Sequence, residues 1–356
     1  MALTRCDLAG FADIEPQWDA LAAEGESPFL TAAWLGSWWR AFAPEEAVAL
    51  VLRDDDGSLL AGGLFRESGG ELRAAVNAHT NDWNVVAADS GARSRFWSEV
   101  GEMRHRRIAL APLLDGDDAS MPAAILRDHG CHVVEKALEP SPWLELPGSL
   151  DDLLAARSRN LRSQVGRRRR ALEKEGDLAF RVVTDAASID QDLDALLALE
   201  ASGWKGKGGT AIAGDAALVA HYRAFAETAA AQGWLRLYML ELNEKLIAAD
   251  YGCVFRNCGY LIKTAYDEDL GRFAPGLVLR AAVLGASIEE GLERYDLLGG
   301  PDGYKLRWAD KLRGRSAIRG FRGARAAPAY AWHSSLRPAL KGARDRAKAA
   351  FGRAGR

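Results

Sequence analysis

The chain has few of the residues that mark a metal site, a disulfide scaffold or a membrane span. Its 356 residues include four cysteines, Cys6, Cys131, Cys253 and Cys258, at no spacing that suits metal ligation. Four scattered cysteines in a chain of this size also argue against a disulfide framework. No apolar run approaches the ~20 residues of a membrane-spanning helix. The N-terminus, MALTRCDLAGFADIEPQWDAL, has acidic residues early and no basic-then-apolar leader layout. No metal is expected, and the expected location is the cytoplasm. Apolar residues make up 48% of the chain, enough to fill two cores, and the length favours two domains over one.

The net charge of −3 conceals an asymmetry. Residues 1–156 carry 12 Lys/Arg against 26 Asp/Glu, residues 157–310 carry 21 against 22, and residues 311–356 carry 13 against 1. An acidic front and a basic tail imply different surroundings for the two ends.

The most informative stretch is 234–308. LRLYMLEL (235–242) alternates apolar and polar positions, a tight turn follows at 243–245, and LIAADYGCVF (246–255) returns as a second strand. CGYLIKTAYD (258–267) is the third strand. LVLRAAVLGASIEEG has apolar residues at helical spacing up to a stop at Gly291, and RYDLLGG (294–300) is a short buried strand ending in glycines. At the join, Pro275 suits a first helical turn because the amide it lacks has no partner there. Gly276 lets a ligand approach the backbone, and the free amides and positive dipole end that follow form an anion site. Arg272 adds a charge-assisted contact to a phosphate. The plainer alternative is that Pro-Gly merely starts a helix.

This order of elements, three antiparallel strands, a phosphate-type turn into a helix and one more strand, resembles the acyl-CoA half of a GNAT acyltransferase. RFAPGLVL, RYDLLGG and PDGYKLRW resemble its CelD/BcsL-type branch, which is related to FemABX-like transferases. The chain departs from the general Gln/Arg-x-x-Gly-x-Gly/Ala loop, with Pro275 and Leu277 where the small residues belong, while fitting the branch. The fold implied is α/β of the α+β type: two tandem GNAT-like domains, each a mixed, mostly antiparallel sheet flanked by helices. The expected division is 1–145 for a degenerate first copy, 146–328 for the copy with the acyl-CoA site, and 329–356 for a basic amphipathic tail. The resemblance implies acetyl-CoA or another acyl-CoA as co-substrate. Backbone near Lys263, Thr264 and Ala265 would pair with pantetheine, with the thioester where the third and last strands splay apart. Arg272, Phe273, Pro275, Gly276 and Leu277 would form the diphosphate corner. Tyr304 would be the acid for the leaving thiolate, and Lys305 would hold anionic substrate or polarise the carbonyl. Asp250 is the candidate base, a lone carboxylate in an apolar strand where burial raises its pKa; the alternative is a satisfied strand-edge carboxylate.

Earlier in the chain, Ser27 or Thr31 can cap a helix whose Trp34, Leu35, Trp38, Trp39 and Phe42 crowd one side; it is read as framework. The hairpin AVALVLRDDDGSLLAGGLF bends at Asp-Gly. At an offset of 187 residues Leu50 falls on Leu237, and Ser58-Leu59-Leu60-Ala61-Gly62 falls on Lys245-Leu246-Ile247-Ala248-Ala249, a sign of duplication. The first copy has no Pro-Gly or Gly-x-Gly turn before a helix and should not bind CoA. His79 and Asp82 are acceptor-side candidates, or else parts of a polar loop with a capping aspartate. Prolines 140, 142 and 147 mark a boundary. From Arg157 to Glu175 eight cations accompany two anions along an apolar stripe of Leu161, Val165 and Leu172. The resemblance to CelD-like and FemABX-like sequences implies that such a helix faces the cleft between domains and attracts anionic substrates; the alternative is a solvated face, and no aromatics interleave with it as nucleic-acid binding favours. Trp204 and Lys205 open a glycine-rich loop that lacks a P-loop's Gly-Lys-Ser/Thr ending and is read as a substrate-side lid. The tail, with Trp332, Leu336, Leu340 and Phe351 on one side and Lys/Arg on the other, suits an anionic membrane surface, a partner or simple solubilisation. The function implied is acyl-CoA-dependent N- or O-acyl transfer to a small-molecule or saccharide-type acceptor. The alternatives are a FemABX-like transferase using aminoacyl-tRNA, or a non-catalytic accessory protein of polysaccharide biosynthesis.

Overall fold

The structure, a computed structural model, describes residues 2–25, 27–42, 45–116, 118–185, 189–203, 211–323 and 328. In chain order its elements are β1 (Ala2–Cys6), α1 (Leu8–Ala12), α2 (Glu15–Ala22), α3 (Ala32–Phe42), β2 (Ala47–Arg53), β3 (Leu59–Ser68), β4 (Glu71–Ala74), β5 (Val86–Ala87), α4 (Ser90–Glu102), β6 (Arg107–Leu114), α5 (Met121–Asp128) and β7 (His132–Glu145). Then follow α6 (Leu150–Ala155), α7 (Arg159–Glu173), β8 (Leu178–Val183), α8 (Ile189–Ser202), α9 (Ala216–Ala231), β9 (Leu235–Leu242), β10 (Lys245–Phe255), β11 (Cys258–Tyr266), α10 (Pro275–Glu289), β12 (Arg294–Asp296), α11 (Gly303–Leu306) and β13 (Lys311–Phe321).

Two compact units form. One comprises the described parts of Met1–Gly25, Pro44–Leu138 and Arg315–Arg356, the other those of Glu26–Ala43 and Glu139–Gly314. The units therefore interleave along the sequence, unlike contiguous halves. The tryptophan-rich α3, early in the chain, packs in the second unit: Trp34 meets Phe225 and His221 of α9 edge-on at 4.9 and 4.5 Å. Thr31 caps α3 at Trp34, whereas Ser27 caps the short 3₁₀ turn before it. The prolines read as a boundary lie partly within a strand, because β7 runs through Pro140 and Pro142.

The two units repeat one plan. In the first, the strand order is β1-β2-β3-β4-β6-β13, and in the second it is β8-β9-β10-β11-β12-β7. Neighbours are antiparallel except for one parallel pair in each, β4–β6 and β11–β12. A parallel pair needs a crossover, and the helices supplying it are α4 and α10. The mixed, mostly antiparallel sheet with flanking helices is thus present twice, as the recurring hairpin implied. Asn243 and Glu244 at one bend, and Arg256 and Asn257 at the next, all have positive φ, which gives two-residue hairpin turns their twist. The second core gathers Leu240, Ile247, Leu261, Leu284 and Tyr295 around the apolar α10. Each such side chain contributes about 1.5–3 kcal/mol on burial.

Candidate active site

β11 and β12 pair over three residues only: Cys258 with Arg294, Gly259 with Tyr295, and Tyr260 with Asp296. Their zipped end is tight, since a Cβ on Gly259 would meet Tyr295 Cδ2 at 2.5 Å. β11 runs on beside β10 to Tyr266, with Ile262 as an extra, bulged residue. β12 stops because Leu298 and Gly299 both enter the left-handed region, with φ of 52° and 60°. The turn is pinned from inside. Asp296 Oδ1 accepts from the Leu298 amide at 2.8 Å and the Ser141 hydroxyl at 3.2 Å. Lys305 Nζ donates to the Leu298 carbonyl at 2.9 Å and the Gly300 carbonyl at 3.4 Å, and pairs with Asp302 at 3.1 Å.

Where the strands part there is a pocket of about 670 Å³. Thr264, Ala265 and Tyr266 of β11 form one wall, and Pro275, Gly276, Leu277 and Arg280 of α10 form another. Asp302, Tyr304, Arg307, Trp308, Glu200 and Glu268 also line it. α10 starts at Ala274, which is left-handed (φ 51°, ψ 57°) and supplies no side-chain cap. Alanine in that region costs about 1–2 kcal/mol, the kind of strain that collects at functional sites. A Cβ on Gly276 would meet only the Tyr266 ring, at 3.7 Å. The fold tolerates a side chain there, so what the glycine preserves is space in the pocket. The Leu277 amide, expected to face an anion, donates instead to the Ala274 carbonyl at 3.0 Å. The Gly276 amide lies in the first turn, among the donors a helix leaves without an i−4 acceptor.

The expected residues divide accordingly. Thr264, Ala265, Pro275, Gly276, Leu277 and Tyr304 line the pocket; Lys263, Arg272, Phe273, Asp250 and Lys305 do not. Tyr304 is 46% exposed, and partial shielding from water pushes its phenol up to about 12, opposed by the charge of Arg280. Lys263 sits 5.4 Å over the Tyr222 ring. The Arg272 guanidinium stacks on the core residue Phe273 at 4.6 Å rather than reaching into the pocket. Lys305 is buried and turned onto the loop it staples. Asp250 is fully buried and ion-paired to Arg280 Nη2 at 2.7 Å. Burial pushes its carboxyl up, with Arg280 and Thr264 pulling the other way. His79 and Asp82 belong to the first unit; Asn77 Oδ1 accepts from the His79 amide in a polar turn, and Asp82 is buried. Trp204, Lys205 and the tail 329–356 lie outside the described residues.

Sequence reading missed Arg280, the lone cation in the apolar run LVLRAAVL, whose oddity matches that of Asp250 in its strand. It also gave no site role to Glu200, Glu268, Asp302 and Arg307, which line the pocket. The arginine helix α7 does bury Leu161, Val165 and Leu172. It packs against α10, donates from Arg168 to the Arg272 carbonyl, and holds pocket residue Arg307 through Gln164 at 2.8 Å. Arg168 of this helix therefore stands beside the corner where α10 begins.

Residues 159–306 match the family model of the acetyltransferase (GNAT) domain. That region holds the arginine helix, the parted strands and all of the pocket lining but Arg307 and Trp308. No curated protein matches the chain. Among solved structures, it is similar to the C-terminal DUF2156 domain of a protein named as a lysylphosphatidylglycerol synthetase from Agrobacterium fabrum, at 14% identity, 92% and 97% coverage of this chain and that one, and a TM-score of 0.58. It is also similar to L-PGS from Bacillus licheniformis (11% identity, 90% and 95% coverage, TM-score 0.53). FemX matches at 12% identity, 93% and 99% coverage and a TM-score of 0.57. At such identities the likeness is one of fold, and it extends over nearly the whole chain. The narrower CelD/BcsL assignment has no support among these matches. Among the described residues no helix is long and apolar enough to cross a membrane.

Proposed function

We propose that the protein is an acyl-CoA-dependent N- or O-acyltransferase, acting on a small-molecule or saccharide-type acceptor. The observation that carries this reading is the parting of β11 and β12 after three paired residues, with a pocket opening there against the start of α10. In this reading the Gly276 amide and the helix dipole hold the diphosphate. The pantetheine follows Thr264–Tyr266, and the sulfur end enters the gap. The acceptor nitrogen or oxygen attacks the thioester carbonyl carbon, the C–S bond breaks, and the thiolate leaves as CoA. Tyr304 is protonated at neutral pH and so donates a hydrogen bond to that thiolate. The loop stapled by Lys305 holds Tyr304 at the gap.

A second reading is favoured by one feature, the arginine-rich α7, whose Arg168 reaches the same corner. It takes an aminoacyl-tRNA as donor, as in FemABX-like transferases, and predicts binding that falls steeply with salt. Titration calorimetry separates the two. The first reading predicts micromolar acetyl-CoA binding that changes little between 50 and 200 mM salt. Absence of acetyl-CoA binding, together with salt-sensitive tRNA binding, would favour the second.

A further inference from the structure

Arg280 is a buried charged side chain in the pocket wall, its side chain 5% exposed. It stands one helical turn, about 6 Å along the axis, beyond Gly276. Its guanidinium bridges α10 to both strands that flank β11: Nη2 meets Asp250 Oδ2 of β10 at 2.7 Å, and Nη1 meets the Tyr295 hydroxyl of β12 at 3.4 Å. Tyr295 is also the residue that packs on Gly259 at the zipped end of the gap. A guanidinium carries five N–H donors in a rigid fork. Asp250 and Tyr295 engage one N–H group each on its two terminal nitrogens, and Arg280 is also part of the pocket lining. Because Asp250 balances the charge, the pair suits a neutral or developing oxygen dipole better than a second full carboxylate.

We propose that Arg280 donates a hydrogen bond to the carbonyl oxygen of the bound thioester, and that Asp250 is a positioning residue that fixes the guanidinium. This rests on the acyl-CoA reading of the pocket and deepens it. As the acceptor attacks, the carbonyl π pair moves onto oxygen, where the preorganised N–H stabilises it. The pair returns as the C–S bond breaks and the thiolate departs. The acceptor loses its proton to solvent, and the departing thiolate takes one from Tyr304, which solvent reprotonates, so CoA leaves as the thiol. Asp250 thus has a role that needs no contact with the acceptor, and the acyl group this pocket takes is uncharged near its carbonyl.

The test uses the full chain, acetyl-CoA and S-ethyl-CoA, which replaces the carbonyl oxygen by two hydrogens. Removing Arg280 alone would strand a buried carboxylate and endanger folding. The variant is therefore Asp250→Asn with Arg280→Met, in which Thr264 remains a partner for the amide. Thermal unfolding verifies that it folds. Calorimetry on the wild type should show acetyl-CoA binding about tenfold or more tighter than S-ethyl-CoA. The double variant should bind both alike, with its S-ethyl-CoA affinity unchanged. Equal binding of the two ligands by the wild type, or a preference that survives in the double variant, overturns the role of Arg280 while leaving the acyl-CoA reading intact. Failure of the wild type to bind either overturns both.

Discussion

The helix that crosses from the fourth strand to the fifth begins differently in the two units. In the first, α4 is capped by Asp89, whose carboxylate accepts from the Ala92 amide at 2.7 Å. The anion that suits a helix N-terminus is supplied by the chain itself. Beyond the end of β4 the space is also taken. Trp83 donates its amide to Pro112 of β6 at 2.8 Å and its indole N–H to Leu64 of β3 at 2.7 Å, bridging the strands on either side. In the second unit α10 starts from Ala274, which supplies no side-chain cap, and a pocket lies there, with Trp308 part of its lining. One plan, copied, has a plugged corner in one place and an open one in the other. The same 187-residue offset that aligns the hairpins puts Gly63 against Asp250, so the first unit also lacks the carboxylate that pairs with Arg280.

The sharpest way to break this comparison is to fill each corner in turn. Both helices carry glycine at their second position, Gly91 in α4 and Gly276 in α10. Gly276→Trp should weaken acetyl-CoA binding about 100-fold or more, since the indole would occupy the pocket. Gly91→Trp, on an exposed turn, should leave it unchanged within about twofold. Equal losses in calorimetry would contradict the assignment of the site to the second unit. A smaller effect is expected at the loop that ends β12. Lys305→Met strips two carbonyls and a carboxylate of their donor and should lower stability by about 1–3 kcal/mol in urea titration. It should also raise the KM for acyl-CoA as the gap loses its fixed edge; an unaltered KM would detach the staple from the site.

The smallest effect concerns the first unit alone. Glu67 is held by Arg5 and by His105, at 2.9 and 2.8 Å, and the Arg5 hydrogen bond leads in lowering its carboxyl to about 2 despite partial burial. A folded-state value below the unfolded one gives stability that is present above about 4.5 and lost as pH falls through about 2. Urea midpoints of the wild type and Glu67→Gln should therefore differ at neutral pH and converge between these values. A gap that persists at pH 2 would show that this network is not the cause.

Much of the fold was legible because its elements obey local rules. The β9–β10–β11 meander follows from period-two alternation and short turns, and the gapless match of Leu50 to Leu237 points to the duplication that the strand orders display. Legibility ended where long-range packing decides. Nothing local shows that α3 joins the unit built mostly from later sequence, or that Pro140 and Pro142 sit within a strand. At the site, the Pro-Gly corner and Tyr304 line the pocket. Lys305 and Asp250 carry the right chemistry but point elsewhere, one to a loop and one to Arg280. Two isolated charges, each in an apolar run, were the available sign that they partner one another. One-dimensional patterning cannot say which buried charges meet.

What the open corner holds is tested most directly by a crystal structure with bound acetyl-CoA. It should place the diphosphate within hydrogen-bonding distance of the Gly276 amide, the pantetheine along Thr264–Tyr266, and the sulfur between β11 and β12. A CoA molecule bound at the start of α4, or lying outside a gap that remains empty, would contradict it.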